Sequence, residues 1–208
     1  MDGDDALALA DWRRRVSAMY QAARDEAAHD PEAAWTEWRR TRDELFAAHP
    51  QSPVPLVSRL AFAGLSYFAY DPAGRVSAEV RRADPESIEL DVSTGEPVAF
   101  TRVGVCAFEF DGGDRMLDLF WLDGYAGGLF VPFRDATSGG ETYGAGRYLL
   151  DSAKGADLGS DEEGRLILDF NFAYNPSCAY DPIWSCPLAP PGNRLDAAVR
   201  AGERTPAL

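Results

Sequence analysis

The chain contains very little lysine and histidine. Among its 208 residues, Lys154 is the only lysine, and His29 and His49 are the only histidines. Both histidines lie in or just after the N-terminal part of the chain, far from the polar segments considered below. A Ser-His-Asp triad and a histidine-rich metal site are therefore not expected. We predict neither a metal nor a cofactor.

The short motifs of common enzyme classes are also missing. Gly139-Gly140 is not followed by the lysine of a phosphate-binding loop, and the Gly-x-Ser-x-Gly motif of serine hydrolases does not occur. These absences exclude the most easily recognised nucleotide-binding and hydrolase sites. The sequence leaves open whether the protein is an enzyme at all.

Cysteine is scarce, with Cys106, Cys178 and Cys186 as its only occurrences. The spacing of Cys178 and Cys186 lacks the tight hook of a zinc site. Thiols are the expected state in a reducing compartment, with a Cys178–Cys186 disulfide as the alternative. No histidine or lysine adjoins Cys178 to lower its pKa, so we interpret it as a structural thiol rather than a nucleophile.

No stretch of the chain approaches the roughly 20 apolar residues of a transmembrane helix. The N-terminus lacks the basic and apolar regions of a signal peptide, so we expect a cytoplasmic location. The formal net charge is -14, and such a surface repels phosphate backbones and anionic lipid. We therefore expect neither nucleic acid nor membrane as a partner. The excess of acidic residues is also consistent with a protein from a salt-adapted host.

Two helices are predicted at the N-terminus, where apolar residues recur at three- and four-residue spacing. The first covers residues 5–29. Asp30 and Pro31 then suit the cap and first turn of a second helix that ends near Ala48. We predict that this helical appendage, residues 1–50, packs over one mouth or face of a β-rich domain, residues 51–208, and forms one compact unit with it.

The periodicity after Pro55 drops toward two, and glycine or proline punctuates the chain. An Asp111–Asp114 turn indicates a hairpin, and Gly104 is expected to bend or bulge its strand. The predicted fold is mainly β, an antiparallel barrel or sandwich of about eight strands, and α+β overall. The predicted strands are residues 65–70, 75–82, 87–92, 97–110, 116–122, 129–133, 146–150, 165–172 and a short 197–201.

Residues 130–187 form a polar, aromatic-rich block punctuated by glycine, and we predict that function resides there. Strand alternation places Asp169 and Asn171 on one face, opposite Phe170 and Phe172. An ion pair of Arg147 with Asp169 or with Asp135 would fix loop geometry. The other interpretation is a polar pocket, and both can hold if the pair forms the pocket floor.

The leading functional hypothesis is a small-molecule-binding domain that combines aromatic side chains with a few convergent polar groups. Arg147 would hold an anionic or carbonyl group of the ligand. The pocket floor is predicted to carry Arg147, Asp169, Asn171 and Tyr143. Further ligand-contacting candidates from the same block are Asp135, Thr142, Tyr174 and Asn175.

Two alternatives belong to other functional classes. A metal-independent hydrolase or lyase would use Asp135 or Asp169 as base and Tyr143 as acid. A protein-interaction module would use the N-terminal helices, and an exposed apolar patch on their tryptophans would support it. Those tryptophans are Trp12, Trp35 and Trp38.

Three parts of the sequence together resemble a known family. They are Arg42-Asp43-Glu44-Leu45-Phe46 with His49-Pro50-Gln51-Ser52-Pro53; Phe130-x-Pro-Phe133-x-Asp135-x-Thr137-x-Gly139-x-x-Thr142-Tyr143-x-x-Gly146-Arg147-Tyr148; and Asp169-Phe170-Asn171-x-Ala173-Tyr174-Asn175-Pro176-x-Cys178-Ala179-Tyr180 with Cys186-Pro187 and Asn193-Arg194-Leu195. These strings are similar to domain-of-unknown-function family 1684 of bacteria and archaea, over residues 35–203. The resemblance implies an uncharacterised protein, and it transfers no catalytic residue.

Overall fold

The computed structural model describes residues 2–207 and begins with two helices. In α1 (Gly3–Ala27), the Asp2 side chain caps the first turn by accepting a hydrogen bond from the Asp5 backbone. In α2 (Pro31–Ala48), Asp30 caps the Ala33 backbone in the same way. Both predicted helices are confirmed. Within residues 2–207, no helix has both the length and the apolarity that crossing a membrane requires.

A short helix, α3 (Leu56–Arg59), precedes the strands. The described part of the chain then forms six antiparallel strands in one sheet, with the order β5-β4-β3-β2-β1-β6. The strands are β1 (Arg75–Leu90), β2 (Val98–Phe110), β3 (Gly113–Leu122), β4 (Gly128–Phe133), β5 (Arg147–Asp151) and β6 (Leu166–Asp169). Tyr148 of β5 pairs with Tyr174, just beyond β6, so the sheet is a nearly closed barrel. The predicted α+β, mainly β class is confirmed, with six strands rather than about eight.

The strand count differs for three reasons. Residues 75–82 and 87–92 are one strand, because only a bulge between Arg82 and Glu86 interrupts its pairing with β2. In residues 65–70, the pairing is limited to a bridge between Tyr67 and Glu203. Residues 197–201 form no strand, because carbonyls of this segment accept hydrogen bonds from the Arg147 side chain instead of a neighbouring strand.

Local turn chemistry was predicted correctly. The β2–β3 hairpin turns through Asp111 and Gly112, which have φ of 53° and 67°. Such positive values suit a tight hairpin connection. The predicted bulge at Gly104 also occurs, since the register of β2 against β3 shifts there. A Cβ at Gly104 would lie 2.8 Å from the Arg81 carbonyl oxygen, so the close approach of β1 requires glycine.

Two apolar clusters lie against the sheet. The helix-side cluster includes Trp38 and Phe46 of α2 together with Phe130 of β4. The second cluster includes Val131, the next residue of β4, and Leu195 near the C-terminus. Because neighbouring residues of a strand point to opposite faces, the two helices cover one face of the sheet and the C-terminal segment packs on the other.

Candidate functional site

A buried ion pair joins Arg147, at the start of β5, to Asp135, just after β4. The Nη2–Oδ2 distance is 2.8 Å, and the two side chains are 1% and 0% exposed. The other carboxylate oxygen, Oδ1, accepts hydrogen bonds from the Thr137 backbone and hydroxyl at 2.6 and 2.5 Å. The Thr137 hydroxyl lies 2.9 Å from that of Thr142. Thr142 therefore belongs to the network around Asp135.

The remaining donors of Arg147 hold the C-terminal segment. Nη1 donates to the carbonyls of Ala201 and Glu203, and Nη2 donates to the carbonyl of Val199. Each terminal nitrogen of the guanidinium therefore makes two hydrogen bonds within the protein. The predicted Arg147–Asp135 pair is present, and its geometry is that of a structural clamp between β5 and the C-terminal segment.

Asp169 and Asn171 form a separate network at the end of β6. The chain does not continue as a strand to residue 172, because Asp169 caps a 3-10 turn, Phe170–Phe172. Asp169 Oδ1 accepts bonds from the backbone and side-chain amides of Asn171 at 3.0 and 2.9 Å. Phe170 and Phe172 belong to different apolar clusters. The prediction that both point to one face was wrong, since the turn replaces strand alternation.

Further contacts anchor this second network to the start of β1. The Asn171 amide makes two bonds to the Asp71 backbone, at 2.9 and 2.7 Å. Asp169 Oδ2 lies 3.3 Å from a guanidinium nitrogen of Arg75. Burial raises the pKa of Asp169, while the Asn171 hydrogen bonds and the Arg75 charge act in the opposite direction. These contacts join β6 to the segment before β1.

Tyr143 belongs to a third place in the fold. Its hydroxyl lies 3.7 Å from the sulfur of Cys178. The structure therefore does not bring Arg147, Asp169, Asn171 and Tyr143 together as one pocket floor. Strand alternation could not show this, because it assigns faces but not partners. The ligand-binding role of each residue stays a prediction.

Sequence reasoning missed a second buried ion pair, between Arg42 of α2 and Glu203. Arg42 Nε and Glu203 Oε1 are 2.6 Å apart, with side chains 8% and 1% exposed. Glu203 Oε2 accepts bonds from the Asn175 backbone and the Tyr180 hydroxyl, both at 2.7 Å. One signal could have found Arg42, since it stands four residues from Trp38 and from Phe46 on the buried face of α2.

Aromatic rings surround the Arg42 guanidinium. Its carbon lies 4.5 Å from the ring centre of Phe46 and 4.9 Å from that of Tyr174. Burial acts to lower the pKa of Arg42, but the charge of Glu203 and other neighbours raises it on balance. Within residues 2–207, the only hydrogen bond of this guanidinium runs from Nε to Glu203. Its terminal nitrogens keep their capacity to donate.

A cavity of about 70 Å³ adjoins this ion pair, and we call it the Arg42 cavity. Asn175 lines it, with Nδ2 bonded to the Arg204 carbonyl at 2.8 Å. In the part of the chain described, Asn175 Oδ1 is buried without a donor. The lining includes Trp12, Arg42, Tyr148, Lys154, Tyr174 and Asn175. Two predicted candidates, Tyr174 and Asn175, therefore lie at one cavity.

A neighbouring cavity of about 200 Å³ is mainly apolar. Its lining includes Val98, Phe100, Leu122, Phe130, Asp151 and Lys154. Lys154 lines both cavities, and its Nζ lies 3.1 Å from Asp151 Oδ2. The charge of Asp151 raises the pKa of Lys154. Lys154 therefore places a positive charge between the two cavities.

The residues invoked for the two alternatives, the hydrolase or lyase and the protein-interaction module, are not arranged as those functions were expected to require. Trp35 and Trp38 are only 5% and 1% exposed, and Trp12 packs partly buried against the helix-side cluster. The tryptophans thus belong to the core and form no exposed patch. Tyr143 contacts Cys178, whereas Asp135 and Asp169 lie in other networks. Residues 2–207 contain no group of three acidic, histidine or cysteine side chains that could hold a metal.

Two comparisons with known proteins found a match, and one of them names a family. A family model described as "Protein of unknown function (DUF1684)" matches residues 60–204. The chain is also similar to an uncharacterized protein of Haloarcula marismortui, known from a solution NMR structure. The identity is 41%, the TM-score is 0.62, and the match covers 87% of this chain and 97% of that chain. No curated protein matches the chain.

Proposed function

We propose that this chain, a member of the DUF1684 family, binds a small hydroxycarboxylate in the Arg42 cavity. Binding of a small molecule agrees with the leading hypothesis from the sequence, but the site differs from the predicted pocket floor. The proposed site lies between the N-terminal helices and the barrel, where Tyr174 and Asn175 meet Arg42 and Lys154.

The observation that carries the proposal is the unused donor capacity of Arg42. Its Nε binds Glu203, while its terminal nitrogens have no acceptor among the described residues. A guanidinium binds a carboxylate through paired, charge-assisted hydrogen bonds. The contrast with Arg147 is direct, since both terminal nitrogens of Arg147 are bonded inside the protein. Arg42 is thus suited to an acceptor from outside the chain.

Asn175 supports a ligand that also carries a donor. A buried acceptor without a donor costs on the order of 1–3 kcal/mol, and Asn175 Oδ1 is such an acceptor within residues 2–207. A ligand hydroxyl could donate to it while the carboxylate accepts from Arg42. This pairing favours hydroxycarboxylates over simple carboxylates.

The cavity size limits the ligand. One water occupies roughly 30 Å³ of liquid volume, so a cavity of about 70 Å³ accepts a carboxylate with one or two further heavy atoms. Glycolate, with two heavy atoms beyond its carboxylate, has this size. A longer apolar substituent would have to pass Lys154 toward the cavity of about 200 Å³.

The acidity of the protein does not exclude an anionic ligand. The net charge of -14 disfavours anions at long range, but salt screens exposed charges beyond about 8 Å at physiological ionic strength. Inside the cavity, the charges nearest to the ligand determine whether an anion binds. Arg42 and Lys154 line the cavity, whereas their counter-ions Glu203 and Asp151 do not.

The test is thermal denaturation with glycolate, acetate and glycolamide. We expect glycolate to raise the Tm more than acetate, because acetate has no hydroxyl for Asn175. The neutral amide is expected to have the smallest effect. Arg42→Lys keeps the charge but loses the guanidinium fork, so the affinity for glycolate should fall about tenfold, or about 1.4 kcal/mol.

Arg40→Lys is the matched control, because Arg40 lies on the same helix and its side chain is 56% exposed. It should leave the glycolate response unchanged, and circular dichroism should confirm that both variants are folded. An equal response in the wild type and in Arg42→Lys would contradict the proposal. So would the absence of any carboxylate effect on the wild type.

A further inference from the structure

The cavity of about 200 Å³ beside the Arg42 cavity is here called the apolar cavity. Protein interiors rarely leave room for more than a water molecule, so a cavity of this size is a distinct feature of the fold. We propose that both cavities hold one molecule, an aliphatic 2-hydroxy acid whose hydrocarbon substituent occupies the apolar cavity. The inference rests on the proposed function, which places the carboxylate and hydroxyl in the Arg42 cavity, and it names the class of hydroxycarboxylate.

Side chains of three neighbouring strands form much of the wall of the apolar cavity. Val98 and Phe100 belong to β2, Leu122 belongs to β3 and Phe130 belongs to β4. The rings of Phe100 and Phe130 are buried and stacked, with their centres 5.2 Å apart. A hydrocarbon group gains free energy when it leaves water for such a surface. A substituent rich in hydroxyls would instead give up hydrogen bonds to water for contacts with carbon atoms.

The 3-10 turn Ser152–Lys154 packs closely against β4 beside the apolar cavity. A Cβ at Gly128 would lie 2.6 Å from the backbone nitrogen of Ala153, so this approach requires glycine. Gly128 and Ala153 both line the cavity. The Leu129 N–H donates to Ser152 Oγ at 2.8 Å. These contacts fix the backbone of the turn, whose last residue lines both cavities.

Lys154 and Tyr148 lie between the two cavities. Lys154 lines both of them, and Tyr148 lines the Arg42 cavity. The Tyr148 hydroxyl donates to the carbonyl of Pro187, which lines the apolar cavity. The Tyr148 ring also meets the ring of Phe130, with centres 4.8 Å apart. A single tyrosine ring thus reaches from one cavity to the other.

The Lys154 side chain leaves a path between the cavities when it moves. It is 58% exposed, and its Nζ lies 3.1 Å from Asp151 Oδ2. A lysine stem is flexible, and it can cover apolar surface while its ammonium stays in water. A substituent that passes Lys154 therefore contacts the apolar stem, and the ammonium keeps its partner Asp151.

The volume of the apolar cavity limits the substituent. An apolar cavity of about 150 Å³ accepts benzene, so the cavity of about 200 Å³ holds a substituent of up to about six carbons. Each methylene that leaves water should tighten binding about fourfold. We therefore expect the affinity to rise from glycolate through 2-hydroxybutanoate to 2-hydroxyhexanoate.

The experiment measures the affinity of the full chain for this series by isothermal titration calorimetry. We expect 2-hydroxyhexanoate to bind at least about tenfold more tightly than glycolate. Gluconate is the matched ligand, because its chain has the same number of carbons but carries hydroxyls. It should bind no more tightly than glycolate.

Val98→Phe adds volume to the wall of the apolar cavity, so the ratio of the two affinities should fall toward one. Val57→Phe is the matched control, since Val57 is 86% exposed and does not line this cavity, and it should keep the wild-type ratio. Arg42→Lys should weaken both ligands by the same factor. Circular dichroism shows whether each variant is folded, and Leu122→Phe replaces Val98→Phe if the latter is not.

Four outcomes would overturn the inference. Binding of glycolate with no gain for 2-hydroxyhexanoate would exclude the second subsite and leave the proposed function standing. A gain that persists in the folded cavity-filling variant, or that gluconate shares, would place the substituent elsewhere. If Arg42→Lys weakened glycolate alone, the two cavities would not hold one molecule. If no hydroxy acid bound the wild type, the proposed function itself would fail, and this inference with it.

Discussion

The two buried arginines of this protein have similar burial and opposite uses of their donors. Arg147 pairs with Asp135, and its terminal nitrogens are all engaged, with three further bonds to the C-terminal segment. Arg42 pairs with Glu203 through Nε only, and its terminal nitrogens lie among aromatic rings beside a cavity. The carboxylates differ less, because both accept bonds from backbone and hydroxyl donors.

The difference indicates how a structural charge can be told from a binding charge. Burial alone does not distinguish them, since a buried ion needs a partner in either case. The number of donors satisfied inside the chain does distinguish them. Both terminal nitrogens of Arg147 are bonded and hold the C-terminal segment as a clamp, whereas those of Arg42 remain available for a ligand.

The largest effect is expected from breaking the clamp. Arg147→Met leaves Asp135 buried without its counter-ion and removes donors from three carbonyls, so the free energy of unfolding should fall by about 3–5 kcal/mol. Urea denaturation followed by tryptophan fluorescence measures it. Arg40→Met is the control: Arg40 is exposed and its ion pairs with Glu37 and Glu44 lie on the surface, so the stability should change by less than about 1 kcal/mol. A loss below about 1 kcal/mol would show that Arg147 is not a clamp.

Arg42→Met tests the other half of the comparison. Glu203 keeps the Asn175 and Tyr180 donors, so the unfolding free energy should fall less, by about 2–3 kcal/mol. The stabilisation by glycolate should disappear in this variant and persist in Arg147→Met, as thermal denaturation with and without glycolate will show. If both variants lost the glycolate response equally, the distinction between the two arginines would be wrong.

Lys154→Ala sharpens the comparison because Lys154 contributes charge with little burial. Its side chain is 58% exposed, so the stability should change by less than about 1 kcal/mol. Glycolate affinity should fall about tenfold, or about 1.4 kcal/mol. Isothermal titration calorimetry measures the affinity, with Arg40→Ala as control. An unchanged affinity would restrict the site to Arg42 and Asn175.

Asp169 is a buried carboxylate whose ion pair, with Arg75, is longer than those of the two arginines. Replacing it should have the smallest effect on stability. Burial raises its pKa above the usual 3.8, so the folded state binds its proton more tightly than the unfolded state. Stability from this group is present below pH 3.8 and is lost as pH rises through the folded pKa.

In Asp169→Asn, the side chain at this position is neutral at every pH, so the variant does not lose this stability as pH rises. The stability of the wild type relative to the variant should therefore decrease over that pH window, as urea denaturation at a series of pH values will measure. A relative gain with rising pH would mean that the ion pair with Arg75 outweighs burial.

The sequence predicted the parts of the fold that depend on local chemistry. Asp30 and Pro31 began α2, and Asp111 and Gly112 made the β2–β3 turn, because caps and positive-φ turns need particular residues at particular positions. The strand count was wrong for residues 197–201, since whether that segment joins a sheet depends on what its carbonyls meet. Arg147 takes those acceptors.

Two of the predicted candidates, Tyr174 and Asn175, line the Arg42 cavity, and their ligand-binding role stays a prediction. Arg42 was missed although its spacing from Trp38 and Phe46 marks a charge on an apolar helix face. Cys178 was interpreted as structural because no basic residue adjoins it in sequence, and that interpretation stays a prediction. The hydroxyl near its sulfur belongs to Tyr143, 35 residues away along the chain.

By itself, the sequence determined the helices, the antiparallel β class and the block that carries polar groups, because periodicity and turn residues report which side of each element is buried. The family followed from the resemblance of its motifs. Only the tertiary structure decided the partners. Glu203 lies 161 residues from Arg42, and Ser93, in the β1–β2 connection, accepts a hydrogen bond from the Cys186 backbone 93 residues away. Local patterns carry no information about such pairings, since the energy of a buried charge or thiol depends on which distant groups surround it.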